Sequence, residues 1–265
     1  MDVWSVASGS SGNCYLVRAA GTLVLVEAGI TLRKIETFLA RLGVTARDLS
    51  GVLLTHEHSD HIRSARALSD KYDVPLFATA GTLGHQSLRD SAWARPIKAG
   101  TTLRIGEVEA LAFDVPHDAR EPVGFRLTAQ AATVCVTTDL GFVPKSVNRQ
   151  FRDNDLLVLE ANHDVEMLHT GPYPGFLKRR VLGDHGHLSN VATADALLAC
   201  GDRVPPEVWL AHMSPTNNTP ERAHTEIVGR LAAAGYGHVG LQVAARTRPS
   251  LHWSSTPRPV QLSLF

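Results

Sequence analysis

No run in the 265 residues is apolar over the length a membrane span needs, so a transmembrane helix is not expected. The start, Met1-Asp-Val-Trp-Ser, has neither the basic residues nor the apolar core of a signal peptide, and a soluble, cytoplasmic protein is expected. Cysteine is scarce. Cys14, Cys135 and Cys200 form an odd set without a C-x-x-C pair, which argues against a disulfide framework and for a reducing compartment. Charge of one sign is lacking too: 26 Lys and Arg balance 26 Asp and Glu. No global field therefore attracts nucleic acid or an anionic membrane, and any polyanion must be held by local patches or by metal. What the chain does have is histidine, 13 of them, and three fall within seven residues.

That stretch is Thr55-His56-Glu57-His58-Ser59-Asp60-His61, directly after the apolar run Gly51 to Leu54. In extended backbone, side chains two apart project to the same side, so His56 and His58 reach one metal while Glu57 points away. Asp60 and His61 come where a turn begins, ahead of helical spacing at Ile62, Ala65 and Leu68, and can aim at a second metal. Imidazole and carboxylate ligands suit Zn or Mn.

The same syntax recurs along the chain. Apolar β-type runs end at His117, at Asp139 and at His212, so several strands converge on one edge, where open α/β sheets place their sites. Further strands are expected at Val3–Val6, Cys14–Val17, Thr22–Val26, Leu156–Glu160 and His238–Val243. Thr31 is placed to cap a helix with Leu32, Ile35, Phe38, Leu39 and Leu42 on one face and Gly43 as its stop. Short helical spacing covers Thr79 to Ser87, and longer stretches cover Leu188 to Cys200 and Pro220 to Ala234. Ser8 to Asn13 reads either as a plain hairpin connection or as a backbone-lined rim beside the metals.

These residues resemble the metallo-β-lactamase superfamily, over the chain up to about Val243. The resemblance implies an α/β fold, an αββα sandwich of two packed mixed sheets flanked by helices, with two divalent metal ions at one edge. On its pattern His56, His58 and His117 hold one metal, Asp60, His61 and His212 the other, and Asp139 bridges. Asp60 is assigned to catalysis as well as to the metal. Ser8-Gly-Ser-Ser-Gly-Asn-Cys14, Glu121-Pro-Val-Gly124, Thr138-Asp-Leu-Gly141, Glu160-Ala-Asn-His-Asp164 and Gly186-His-Leu-Ser-Asn190 are similar to the YycJ/WalJ-like branch. That branch implies a 5′-to-3′ DNA exonuclease linked with mismatch repair. Glu27 departs from the pattern, because aspartate more often precedes this Ala-Gly; the departure touches hydrogen bonding around the metals rather than the chemistry.

A dinuclear centre suits phosphodiester hydrolysis, and the leaving alkoxide then needs a proton donor. His187 and His163, each in a Gly- or Asn-containing loop, are the candidates, His187 first. For DNA contact, Lys178, Arg179 and Arg180 are the cluster favoured to hold phosphates, while Arg149 and Arg152 read as a solvated helix face. The same fold could instead serve a small-molecule hydrolase acting on a thioester, a lactone or a cyclic phosphodiester. A clamp-recruited binding protein with structural metals is disfavoured, because structural zinc sites are closed by four ligands and seven are present here.

From Arg246 onward the chain is Pro- and Ser-rich and aperiodic, so residues 1–245 are expected to form the catalytic domain and 246–265 a flexible tail. The tail ends in Gln261-Leu262-Ser263-Leu264-Phe265. Gln261, Leu262, Leu264 and Phe265 resemble the short peptide by which bacterial replication and repair enzymes dock on the DNA sliding clamp. The expected partners are therefore DNA and the clamp, with no membrane; a homodimer is left open.

Overall fold

A computed structural model describes residues 1–256. The first part of the chain runs β1 (Asp2–Ala7), β2 (Cys14–Ala19), β3 (Thr22–Val26), α1 (Leu32–Arg41) and β4 (Gly51–Leu53). It continues through α2 (Ser59–Ile62), α3 (Ala65–Tyr72), β5 (Leu76–Thr79), α4 (Ala80–Leu83) and β6 (Ala94–Ile97). Next come β7 (Thr102–Ile105), β8 (Val108–Asp114), β9 (Val123–Ala129), β10 (Ala132–Thr137), α5 (Lys145–Phe151) and β11 (Leu156–Glu160). The remainder is α6 (Val165–Thr170), α7 (Gly175–Leu182), α8 (Asn190–Leu198), β12 (Glu207–Ala211), α9 (Pro220–Ala233), β13 (Gly240–Val243) and β14 (Leu251–Ser254).

These strands build two seven-stranded sheets, in the orders β14-β1-β2-β3-β4-β5-β6 and β13-β12-β11-β10-β9-β8-β7. Each sheet is antiparallel at first and then turns parallel, at the β3 to β4 pairing in one and at β10 to β11 in the other. Successive side chains explain the layers. Tyr15 and Val17 of β2, like Leu156 and Val158 of β11, pack between the sheets. Cys14 and Leu16 face outward beneath α1 and α3, and Leu157 and Leu159 face outward beneath α5, α8 and α9. Strands covered on both faces read as continuous apolar runs, which is why Leu156 to Leu159 shows no alternation. Burying each such side chain contributes about 1.5–3 kcal/mol. The result is the αββα sandwich expected.

Several local expectations need correction. The segment from Arg246 is not a flexible tail as far as it is described: β14 pairs antiparallel with β1, from Asp2 opposite Ser254 to Ser5 opposite Leu251. Leu251 and Trp253, two apart, pack against the core between the sheets. Gln261, Leu262, Leu264 and Phe265 lie outside the described residues. The helix expected after His61 is broken: Asp60 and His61 themselves sit on α2, and Ser64 donates its hydroxyl to the Ile30 carbonyl at 2.6 Å before α3 begins. Thr31 stands at the start of α1 without a side-chain capping bond. The helix expected over Thr79 to Ser87 is the single turn α4, and its hydroxyl cap is Thr79. Among the described residues no helix is long and apolar enough to cross a membrane.

Candidate metal centre

The parallel halves of both sheets end at one edge, and there the histidines meet. His56 and His58 follow β4, and His58 stands at the N-terminal boundary of α2 without a side-chain capping bond, so one turn carries His58, Asp60 and His61. That turn is pinned from beneath. Asn13 donates its backbone N–H to the Asp60 carbonyl at 2.8 Å, and Ala28 donates its own to the His61 carbonyl at 2.9 Å. Gly29 makes the approach feasible, because a Cβ there would lie 1.6 Å from the Asp60 carbonyl oxygen. The second sheet supplies its residues singly: His117 after β8, Asp139 after β10 and His212 after β12. Gly141 donates to the Pro116 carbonyl at 2.9 Å and so ties the His117 and Asp139 turns together. Asp139 (φ 62°), His212 (φ 50°) and Glu27 (φ 70°) all adopt left-handed backbone, a conformation costly for side chains with a Cβ and concentrated at functional sites.

His56, His117 and His212 are each held by one ring nitrogen and offer the other. His56 Nδ1 lies 2.9 Å from the Thr55 hydroxyl, which leaves Nε2 buried without a hydrogen-bond partner among the described residues. His117 donates Nδ1–H to the Gly186 carbonyl at 3.1 Å, and its Nε2 lies 3.3 Å from His58 Nδ1. His61 Nδ1 is 3.5 Å from Glu27, with Nε2 3.2 Å from Asp139 and 3.5 Å from Asp60. His212 bonds Glu160 through Nδ1 at 2.9 Å and faces Asp60 through Nε2 at 3.3 Å. Fixing one ring nitrogen sets the tautomer and aim of the other, as metal-binding histidines require.

Three of the resulting groups are His56, His58 and His117; Asp60, His61 and His212; and His56, His61 and Asp139. Within each, the ligand atoms lie within 4.8 Å of one another. The two triads expected for two metals thus assemble, with Asp139 between them. Asp139 Oδ2, 3.2 Å from His61 Nε2, and His56 Nε2 are both buried and neither makes a hydrogen bond among the described residues. Such buried lone pairs on a ring nitrogen and a carboxylate oxygen fit a divalent cation that would complete them.

The carboxylates draw positive charge to this edge, and on His61 and His212 that charge is a proton that a bound cation would displace. Burial opposes ionisation of Asp60, yet His61 and His212 hold its carboxyl well below the usual range. Burial likewise opposes the charge on His212, but Asp139, Asp60 and Glu160 push its pKa up to about 10. Burial lowers the pKa of His56, and the neighbouring His61 adds to that, which keeps its imidazole neutral and ready to ligate.

Glu160, part of the Glu160-Ala-Asn-His-Asp164 motif but assigned no role from sequence, is central. It is fully buried and accepts hydrogen bonds from His187 Nδ1 at 2.7 Å, His212 Nδ1 at 2.9 Å, Leu140 N–H at 2.8 Å and Leu188 N–H at 3.2 Å. Its signal in the sequence is a charged residue closing an otherwise apolar run. Asn13 likewise has no role assigned from sequence; its amide lies 3.4 Å from the Asp60 carboxylate and 3.2 Å from His61 Nε2. Ser8 accepts the His212 N–H at 2.8 Å, so the Ser8 to Asn13 loop is a rim of the centre and not merely a connection.

A cavity of about 240 Å³ opens over the cluster, lined by Ser10, His58, Asp60, Asp139, Arg180 and His187 among others. His187 therefore reaches it. Burial lowers the His187 pKa, but the Glu160 carboxylate more than offsets this and raises it, which favours the imidazolium. His163 does not reach it: the residue is buried, lies outside the cavity lining, and desolvation brings its pKa down to about 4. Of the α7 cations only Arg180 lines the cavity, where its Nε and Nη2 both lie 2.6 Å from the Asp118 carboxylate. Lys178 instead donates to the His169 carbonyl at 2.6 Å, and Arg179 is not in the lining.

Two mixed sheets with a histidine- and aspartate-rich edge define a metallo-hydrolase sandwich. A beta-lactamase superfamily domain model matches residues 22–213. The chain is 35% identical over 240 residues to exodeoxyribonuclease WalJ of Streptococcus pneumoniae, covering 88% of each chain. It is also 35% identical to exodeoxyribonuclease YycJ of Bacillus anthracis, over 88% of this chain and 89% of that one. The metallo-β-lactamase fold protein YhfI from Bacillus subtilis superposes with a TM-score of 0.73 at 18% identity, covering 96% of this chain and 99% of that one. The chain belongs to the metallo-β-lactamase superfamily, in its WalJ/YycJ-like branch.

Proposed function

We propose that this protein is a metal-dependent exodeoxyribonuclease that removes nucleotides from DNA in the 5′-to-3′ direction. The observation that carries the reading is the meeting of His56, His58 and His117, and of Asp60, His61 and His212, beside a His187 ring held by Glu160, in a chain sharing 35% identity with exodeoxyribonucleases across most of both lengths. His56, His58 and His117 would hold one ion, Asp60, His61 and His212 the other, and Asp139 would bridge them. Divalent cations bound there, Mn or Zn, would supply Lewis-acid polarisation of a phosphoryl oxygen and a lowered pKa for the attacking water.

The chain's own residues do the rest. Asp60 and Asp139 fix the donor geometry and add negative charge that keeps the histidines aimed inward. His187, with Nδ1 held by Glu160, has Nε2 left to protonate the leaving alkoxide. Arg180, released from Asp118, holds a phosphate at the cavity wall. His163 has no part in proton transfer on this reading. The cavity walls, with Leu177 and Val181, limit water around the scissile bond.

The finer assignment is to DNA repair, specifically mismatch repair, in the cytoplasm, with recruitment by the sliding clamp through Gln261, Leu262, Leu264 and Phe265. A short peptide at the end of a Pro- and Ser-containing segment suits tethering of this kind. Deleting residues 261–265 should abolish binding to purified clamp and leave turnover on naked DNA unchanged; retained clamp binding removes the peptide from the account.

End-labelled DNA tests the catalytic reading. Mononucleotides should be released only when divalent metal is present, and Asp139→Ala should show no release. Failure to degrade DNA with any metal, combined with turnover of a small ester or cyclic phosphodiester, would make the protein a small-molecule hydrolase.

A further inference from the structure

A second concavity is lined in part by residues that follow those of the cavity in sequence. It lies between α5 and α8 and measures about 560 Å³, more than twice the volume over the metal ligands. Its lining continues the two turns that line the cavity: Gly141 stands two residues beyond Asp139, and Leu188 one beyond His187. Leu188, Ala192 and Ala196 give it an apolar floor.

One wall is cationic. Lys145 and Arg149 are four residues apart on α5 and so rise from the same side of the helix, and Arg152, in extended backbone just beyond its end, completes the wall. Arg152 closes one end, donating to Asn148 Oδ1 at 3.2 Å and to the Ala199 carbonyl at 3.0 Å. Lys145 and Arg149 are exposed and form no ion pair among the described residues. The acidic residue in the lining, Asp195, is already paired with Arg230. At the mouth stands Phe142, 46% exposed, an aromatic face left open to solvent.

An apolar floor, two uncommitted cations and an open ring match a single strand of nucleic acid, which presents phosphates along one side and stackable bases along the other. We propose that the α5–α8 groove is the track for the DNA strand beyond the nucleotide being removed, with phosphates on Lys145 and Arg149 and a base against Phe142. This rests on the exodeoxyribonuclease reading above. It replaces the solvated helix face expected for Arg149 from sequence. The groove holds no metal ligand, so its contribution is to affinity for long strands and not to the chemical step.

The test uses the full chain with metal and compares a long single-stranded oligonucleotide with a dinucleotide. In Lys145→Gln/Arg149→Gln, KM for the long strand should rise about tenfold, with kcat and dinucleotide turnover unchanged. The slope of log KM against log salt should fall by about 1.4, from two phosphate contacts at about 0.7 each on a single strand. Phe142→Ala should raise KM for the long strand at least about fivefold, as loss of one stacked base requires. Unchanged KM and salt slope on the long strand would overturn the track. So would an equal loss on both substrates, which would mean the substitutions act through the metal centre or the fold. Tight binding of an acidic peptide to the groove with KM for DNA unaltered would overturn it in favour of a protein partner. A wild-type protein that degrades neither DNA substrate would remove the exonuclease reading itself, and the track with it.

Discussion

Each sheet sends a buried glutamate to the edge where the histidines meet, and the two carry different loads. Glu27 follows β3 in the first sheet, accepts the Thr55 N–H at 3.1 Å and stands 3.5 Å from one imidazole, that of His61. Glu160 closes β11 in the second and binds two imidazoles, His187 and His212, together with two backbone amides. The first sheet concentrates its ligands on one tight turn, whose own backbone aims them. The second brings His117, Asp139, His187 and His212 from separate turns, and a shared carboxylate has to set the orientation of two of them. Where ligands are local, the chain orders them; where they are dispersed, a buried charge does.

Substituting the two glutamates breaks or sharpens this contrast most strongly. Glu160→Gln should lower kcat about 10–100-fold, the usual cost of removing a carboxylate that orients a metal-binding histidine, and Glu27→Gln should cost under about tenfold. Equal losses would erase the asymmetry. The two should also differ in pH profile. The Glu160 carboxylate raises the His187 pKa, so a proton donor there is active below that raised value and activity falls as pH climbs through it. Glu160→Gln should move this alkaline limb to lower pH, whereas Glu27→Gln should leave it in place.

A smaller effect separates ionisable groups that serve the site from one that serves the fold. His163, beside Glu160 in the second sheet's β11 to α6 turn, has its pKa lowered to about 4 by burial. Between that value and the ordinary one near 6.5 the unfolded chain binds a proton that the folded chain refuses. Stability due to neutral His163 is therefore complete above about pH 6.5 and is lost as pH falls toward 4, up to about 3 kcal/mol. Chemical denaturation across this range should show a flatter pH dependence for His163→Gln than for the wild type. An identical slope would place the acid sensitivity elsewhere.

The same contrast governs how much of the centre is legible in the sequence. The turn from Thr55 to His61 is legible because its ligands are adjacent and their spacing matches strand and turn geometry. His117, Asp139 and His212 can be read as strand-end residues, since β8, β10 and β12 are marked by their apolar runs. Glu160 is harder, because one carboxylate at the end of Leu-Leu-Val-Leu looks like a strand terminus, and its four hydrogen-bond partners come from the distant segments 140, 187–188 and 212. His163 and His187 sit in similar loops; only packing shows that His187 faces the cavity and His163 the interior. The segment after Arg246 misleads through Pro249 and Pro257, although the alternation of Leu251 and Trp253 marks the strand that β1 takes as its partner. Backbone choices such as Gly29 against Asp60 lie beyond sequence altogether, since they depend on which two segments touch.

Metal content tests most directly whether both sheets build one centre. Protein stripped with chelator and re-equilibrated with Mn or Zn should bind two equivalents per chain, measured by elemental analysis after gel filtration. Asp139→Ala, which removes the residue between the two triads while leaving all five histidines and Asp60, should bind fewer. Two equivalents retained in Asp139→Ala would contradict a shared centre, and so would a wild-type protein that binds none.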